Sequence, residues 1–406
     1  MTPAKIKVIR YTPCWLPQTM TWVYTNQQFL PEEFESHVVC QWSENVEQFR
    51  VKNLASLESP PKPESVFRKI QRRLGLSSGE EGVLALLEKT IQSVKPDILH
   101  SHFGNCGWAN SKVAQKYDVR QVVTFHGLDL SYLPKADRRW LSRYREMSNR
   151  VDLVLCEGPH MSRCIADLGV DPAKIKLFRL GIDLERIPYL PRKNSDGGAK
   201  RFLIAGSFRE KKGIPYALEA LGLLSRNLPE MEITVLGDSL GSEREETEKR
   251  KILGVIEQYG LGSRTRLLGY QPYDTVIQEF YQHDVFISPS VTSSDGDTEG
   301  GAPVTVIEAA ASGMPVMSTL HCDIPFVLSA ENKSYLVPER DSSSLSRSIE
   351  RLIQNKDWDP IVSANRRLVE QELDVRMQTQ KLANLYRDVL GRVIPDGETA
   401  GRVSWQ

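Results

Sequence analysis

The stretch DGDTEGGAPVTVIEAAASGMPV, residues 295–316, reads as a turn, a helix and the start of a strand. Pro303 suits a first helical position, where its missing N–H has no partner to lose, and Gly313 followed by Pro315 ends the helix. The free N–H groups of such a helix start, at the positive end of its dipole, suit an anionic group such as phosphate. Gly300 and Gly301 leave the backbone bare, so that a ligand can come close. Glu299 and Glu308 stand on either side of this turn, and the small residues after it let the helix lie near a sheet.

The same alternation extends in both directions. Short apolar runs with the character of buried strands recur at KIKVIRY (5–11), SHVVCQ (36–41), DILHSHF (97–103), QVVTFHG (121–127), DLVLCEG (152–158) and KIKLFRLGID (174–183). Longer segments of helical composition separate them, which predicts a parallel, doubly wound sheet. After the polar LPRKNSDGGAK (190–200) the pattern restarts with RFLIAGS (201–207), EITVLGDS (232–239), TRLLGY (265–270), DVFISPS (284–290), MPVMSTL (314–320) and SYLVP (334–338). We therefore expect a first domain over 1–190, a second over 191–375, and a C-terminal helix over 376–406 that closes the second domain or reaches back to the first. The run 365–393 is expected to be one long helix.

Composition narrows the function classes. The 406 residues carry 52 Lys plus Arg against 52 Asp plus Glu, so no global field draws the chain to nucleic acid, and an anionic ligand has to be held locally. Six cysteines (Cys14, Cys40, Cys106, Cys156, Cys164, Cys322) show no CxxC spacing and read as reduced thiols. The start has no apolar leader and no run approaches a membrane span, so a cytoplasmic protein is expected. No GxGxxG follows the first strand, which argues against a dinucleotide-dependent dehydrogenase.

Two facing doubly wound domains bring the carboxyl ends of their strands to one crevice, where ligands of open α/β sheets bind. The polar residues that stand out lie there: His102, His126 and Gly158 in the first half, and the GSFREKKG loop (206–213), GDS (237–239) and the opening stretch in the second. The ordered set HSHFG, TFHGLDL, LGID, EKKGI, LLGY and EGGAPVTVIEAAASGMPV resembles the retaining glycosyltransferases of family 4, over most of residues 97–340.

That resemblance implies a GT-B fold and transfer of a sugar from a nucleotide-diphosphate donor to a glycan or lipid-linked acceptor, with no cofactor and no metal. The donor would bind mainly to the second domain and the acceptor to the first. Arg209 and Lys212 would stabilise charge on the departing diphosphate, a role whose loss typically costs about 10²–10³ in turnover. Glu299 would contact the donor sugar, Glu308 the ribose hydroxyls, and His126 the transferred sugar. The turn residues Gly300, Gly301, Ala302, Pro303 and Val304, with Gly206 and Ser207, would line the nucleotide-sugar site. His102 is expected on the acceptor side.

The chain departs from the family pattern at three places. Eight residues rather than seven separate Glu299 from Glu308; Ser207 stands where an arginine usual in the family would bind phosphate; and TPCWLPQTMTW (12–22) replaces an N-terminal glycine-rich loop. Asp295 and Asp297 imitate the DxD metal motif of another glycosyltransferase fold and are expected to be dispensable. The stretch VFRKIQRRLGL (66–76) could form a basic amphipathic helix, bringing the enzyme to the inner face of the membrane and a lipid-linked acceptor. Alternatives to the transferase reading are a sugar-nucleotide 2-epimerase on the same scaffold and a non-catalytic nucleotide-sugar-binding protein. The reading points to cell-surface polysaccharide or glycolipid synthesis.

Overall fold

A computed structural model describes residues 4–17, 20–58, 78–194 and 200–391, so the basic stretch 66–76 lies outside the described residues. Seven parallel strands form the first sheet: β1 (Ile6–Trp15), β2 (Phe34–Ser43), β3 (Leu54–Glu58), β4 (Ile98–His102), β5 (Arg120–Thr124), β6 (Leu153–Cys156) and β7 (Ile175–Leu177). Their spatial order is β3-β2-β1-β4-β5-β6-β7. Five more, β8 (Arg201–Ala205), β9 (Glu232–Leu236), β10 (Thr265–Gly269), β11 (Val285–Ser288) and β12 (Val316–Ser318), form the second sheet in the order β10-β9-β8-β11-β12. In both sheets the order reverses beside the first strand, so each has a switch point at its carboxyl edge.

Alternation along β1 shows why the strands are apolar throughout. Ile6 and Val8 pack with Phe34, Ile98 and Tyr386 on one face, while Ile9 and Tyr11 pack with Val39, Leu87 and Leu99 on the other. A parallel sheet covered by helices on both faces demands this.

Three sequence expectations are corrected. The run SYLVP is not a strand: Val337 makes a single bridge to Thr319, and Tyr335 and Val337 serve as core residues beside Leu345 and Ile349. β3 was not foreseen, because LASLE is a half-polar edge strand. The C-terminal run is two helices, Asp359–Glu372 and Val375–Val389, separated where Asp374 caps the second by accepting from the Arg376 N–H. That second helix lies on the first sheet, with Leu382, Ala383 and Tyr386 in the cluster of Ile6, Val8 and Val122. Its start is tied to the first domain by Val375 N donating to Ile182 O at 3.0 Å. Among the described residues no helix is long and apolar enough to cross a membrane, and all six cysteines are free thiols.

Candidate active site

A cleft of about 530 Å³ opens between the carboxyl edges of the two sheets, within the size range of small-molecule sites. Its second-domain wall is built from three strand ends. After β8 the chain passes Gly206 and Ser207 into a tight turn, Glu210–Lys212, which Gly213 ends at φ 65°. A Cβ at Gly213 would stand 1.9 Å from Pro289 O, so no other residue fits there.

The turn sends its two lysines in different directions. Lys211 is buried, its Nζ donating to Thr298 O at 2.8 Å and pairing with Asp297 at 3.3 Å. Lys212 reaches the cleft, where its Nζ lies 2.9 and 3.0 Å from the two oxygens of Glu299. Ser290 also donates to Glu299 at 3.0 Å, and the Glu299 N–H donates to His321 Nε2 at 3.1 Å. Burial alone would raise the Glu299 pKa, but Lys212 and Lys211 outweigh it and hold the carboxyl down at about 2. The carboxylate is thus fixed, ionised and in the cleft, whatever the extra residue before Glu308 does to the turn.

Arg209 also lines the cleft, but its guanidinium is tied to Asp297 at 2.7 Å. Ser207 is at the cleft wall, and its carbonyl accepts the Arg209 N–H at 2.7 Å. Asp297 is buried and compensates Lys211 and Arg209. Asp295 is more exposed and pairs with Arg244 at 2.6 Å. Among the described residues no group of three or more His, Cys, Asp or Glu could hold a metal ion.

The helix after the Gly300–Gly301 turn spans Val304–Ser312, with Pro303 one position earlier than expected, as the N-cap, and Gly313 at φ 92° as the C-cap. No side chain caps its start. Val304 and Thr305 line the cleft together with Ala302 and Pro303. Glu308 lies one turn deeper, 3% exposed, accepting a hydrogen bond from Tyr273 at 2.7 Å. Burial pushes its carboxyl up to about 7, against the opposing effects of Tyr273 and Arg186.

Gly300 and Gly301 are turned toward the first domain instead of the cleft. A Cβ at Gly300, whose φ is 77°, would stand 2.4 Å from Gly127 Cα, and one at Gly301 would stand 1.9 Å from Glu157 Oε2. These glycines allow the two domains to touch, a closeness that reading them as ligand contacts did not anticipate.

The first-domain wall holds a stack of imidazoles. His100 and His102 have ring centroids 4.5 Å apart, and His102 and His126 5.5 Å apart. His126, beyond β5, is in the cleft beside Trp22 and Phe103, and its N–H donates to Asp129 at 2.9 Å. Burial pushes its imidazole down to about 4, so it is neutral at ordinary pH. His102 is 3% exposed and lies under His126, Nδ1 to Nε2 at 3.3 Å, rather than among the cleft-lining residues. Its expected place on the acceptor side is corrected to a supporting one: as the last residue of β4, it is covered by Trp22.

Two residues at this seam escaped the sequence reading. Glu157, at the end of β6, lines the cleft within 3.5 Å of His126 Nδ1. Asp323, in the second domain, accepts the N–H groups of His160 and Met161 at 2.8 and 3.1 Å, capping a first-domain helix from across the interface. Only CEGP, a glutamate between an apolar strand and a Gly-Pro helix start, hinted at Glu157.

Comparison with known proteins agrees with this geometry. Residues 21–186 match the family model described as Glycosyltransferase Family 4, and residues 187–371 match Glycosyl transferases group 1. A relative from Escherichia coli K12, named "Putative colanic acid biosynthesis glycosyltransferase WcaL", is 30% identical over 77% of this chain and 76% of its own. The amylovoran biosynthesis glycosyltransferase AmsK of Erwinia amylovora is 28% identical over 77% and 75%. Among solved structures, Anabaena HepE in complex with UDP and glucose superposes with a TM-score of 0.72 over 94% of this chain and 100% of its own, at 14% identity. The chain belongs to the family 4, group 1 glycosyltransferases and has their GT-B fold.

Proposed function

We propose that the protein transfers a sugar, with retention of configuration and without a metal, from a nucleotide-diphosphate donor to a glycan or lipid-linked acceptor in cell-surface polysaccharide or glycolipid synthesis. The observation that carries this reading is the set of groups on one cleft wall. Lys212 and Glu299 are paired there, the uncapped helix start at Val304 and Thr305 lines the same cleft, and Glu308 follows one helical turn along the chain. A sugar, a diphosphate and a ribose need these same chemistries: a fixed carboxylate for hydroxyls, N–H groups and a cation for phosphate, and a second carboxyl for the ribose.

As the glycosidic bond to the diphosphate breaks, negative charge grows on the departing oxygen. Lys212 offsets it from a fixed position; Arg209 adds to this if phosphate draws it from Asp297. The acceptor hydroxyl forms the new bond, and its proton passes to the released diphosphate. The neutral His126 ring can lie against the sugar without bringing a competing charge. The names of WcaL and AmsK, tied to colanic acid and amylovoran biosynthesis, support the polysaccharide assignment.

The test is a thermal-shift screen of nucleoside diphosphates and their sugars, since a ligand at 100 times its Kd stabilises by about 2.7 kcal/mol. It is followed by NMR of the anomeric configuration in the product. Absence of any stabilisation contradicts donor binding, an inverted product contradicts retention, and loss of activity in EDTA restored by Mn²⁺ contradicts metal independence. Conversion of donor without acceptor would favour the epimerase.

A further inference from the structure

We propose that Glu157 is a positioning residue for the transferred sugar, its carboxyl group bridging the His126 ring of the first domain and the Gly301–Ala302 turn of the second. This rests on the donor reading above, in which the His126 ring meets the sugar.

The segment carrying Glu157 cannot swing away. A Cβ at Gly158 would stand 2.3 Å from the Asp323 carboxyl carbon, and Asp323 holds the next two free N–H groups, those of His160 and Met161. The Glu157 side chain, 12% exposed, then has one direction to take. Oε1 lies 3.5 Å from His126 Nδ1, and Oε2 fills the space a side chain at residue 301 would need.

The surroundings favour the acid over the carboxylate. Among the described residues no lysine or arginine pairs with Glu157. Asp323 and Glu299 face it with negative charge, and the nearby Lys211 is committed to Asp297 and Thr298 O. Burial, with Asp323 next, pushes the carboxyl up to about 8. In that form the group donates to His126 Nδ1, leaving the His126 proton on Nε2, which faces His102 Nδ1 at 3.3 Å. One proton thereby fixes the histidine tautomer and removes a charge that would repel a diphosphate. When pH rises through about 8 the proton is lost and the repulsion appears.

The test uses the full chain in two arms. In the first, without donor, ¹⁵N-histidine NMR at pH 7 reads the His126 tautomer. The Nε2–H form is expected in the parent and in Glu157→Gln, whose amide can still donate, and a mixture of tautomers in Glu157→Leu. An unchanged tautomer in the leucine variant overturns the proposal. In the second arm, turnover is followed against pH. Glu157→Leu should lose about tenfold or more, Glu157→Gln should recover most of that loss, and the parent's fall above about pH 8 should be absent from the glutamine variant. A glutamine variant as impaired as leucine, or one that falls with pH as the parent does, overturns the proposal. A parent that binds no nucleoside diphosphate sinks the donor reading instead, and the tautomer arm alone then decides Glu157.

Discussion

The two walls of the cleft handle buried charge in opposite ways. On the second-domain wall the charges around the lysine turn are paired: Lys212 with Glu299, Lys211 with Asp297, and Arg209 with Asp297. On the first-domain wall charge is suppressed, because burial keeps His126 neutral and Glu157 protonated. The paired wall can receive an anion by rearranging existing cations. The neutral wall can contact a sugar's hydroxyls without adding to the negative charge of the diphosphate. On the proposed reading, what differs is the chemistry each wall has to meet, though both are made from the same strand-end loops of similar sheets.

Breaking the paired wall at its cleft-facing cation should have the largest effect. Lys212→Ala is expected to lower turnover on the order of 10²-fold or more in a protein with unchanged circular dichroism. Near-full activity would show that the diphosphate is stabilised elsewhere.

The contact between the walls comes next. Gly300→Ala puts a Cβ against Gly127 Cα at a φ of 77°, so the domains must part or the turn must shift. Displacement of reacting groups by about 1 Å can cost up to about 10²-fold, and we expect a loss on the order of tenfold with a lower Tm. A variant with parental kinetics would mean that the domains need not touch during turnover.

The smallest effect sharpens the comparison within one motif. Asp297→Ala removes the partner of buried Lys211 and should destabilise by about 3 kcal/mol in denaturant unfolding. Asp295→Ala removes a half-exposed pair with Arg244 and should change stability by no more than about 0.5 kcal/mol. The sequence reading treated the two aspartates as equally dispensable; equal effects would restore that view and remove Asp297 from the charge ledger of the wall.

Which features could be read in advance follows from how local their causes are. The strand series, the helix at Val304–Ser312 and the cleft-facing Lys212 depend on neighbours a few residues away, through apolar runs, a proline, and glycines at φ 65° and 92°. The end of the helix at Leu373 was also local, since Asp374 is a capping residue, but its signal was lost in a run of strong helix formers. Glu157, Asp323 and the packing of Gly300 on Gly127 join residues far apart in the chain and across two domains, and no spacing within either stretch announces them. His102 misled for a related reason: strand alternation and the covering Trp22, not the HSH motif, decide that it lies below the surface.

Whether the cleft holds a nucleotide-diphosphate sugar with Glu308 on the ribose and Glu299 on the sugar is decided by calorimetric titration of Glu308→Gln and Glu299→Gln. Each variant is titrated with nucleoside diphosphate and with intact donor across pH 6 to 8. Burial pushes the Glu308 carboxyl up to about 7, and the carboxylate is the form that accepts from two hydroxyls. Parental affinity for the diphosphate should therefore rise as pH increases through about 7. Glu308→Gln should lack that rise and be weaker by about 1.5–3 kcal/mol once the parent's carboxyl is ionised, whereas Glu299→Gln should bind the bare diphosphate like the parent and lose affinity only for the intact donor. Diphosphate binding by Glu308→Gln that is as tight as the parent's, at every pH, would contradict the account and leave residues 295–316 as packing.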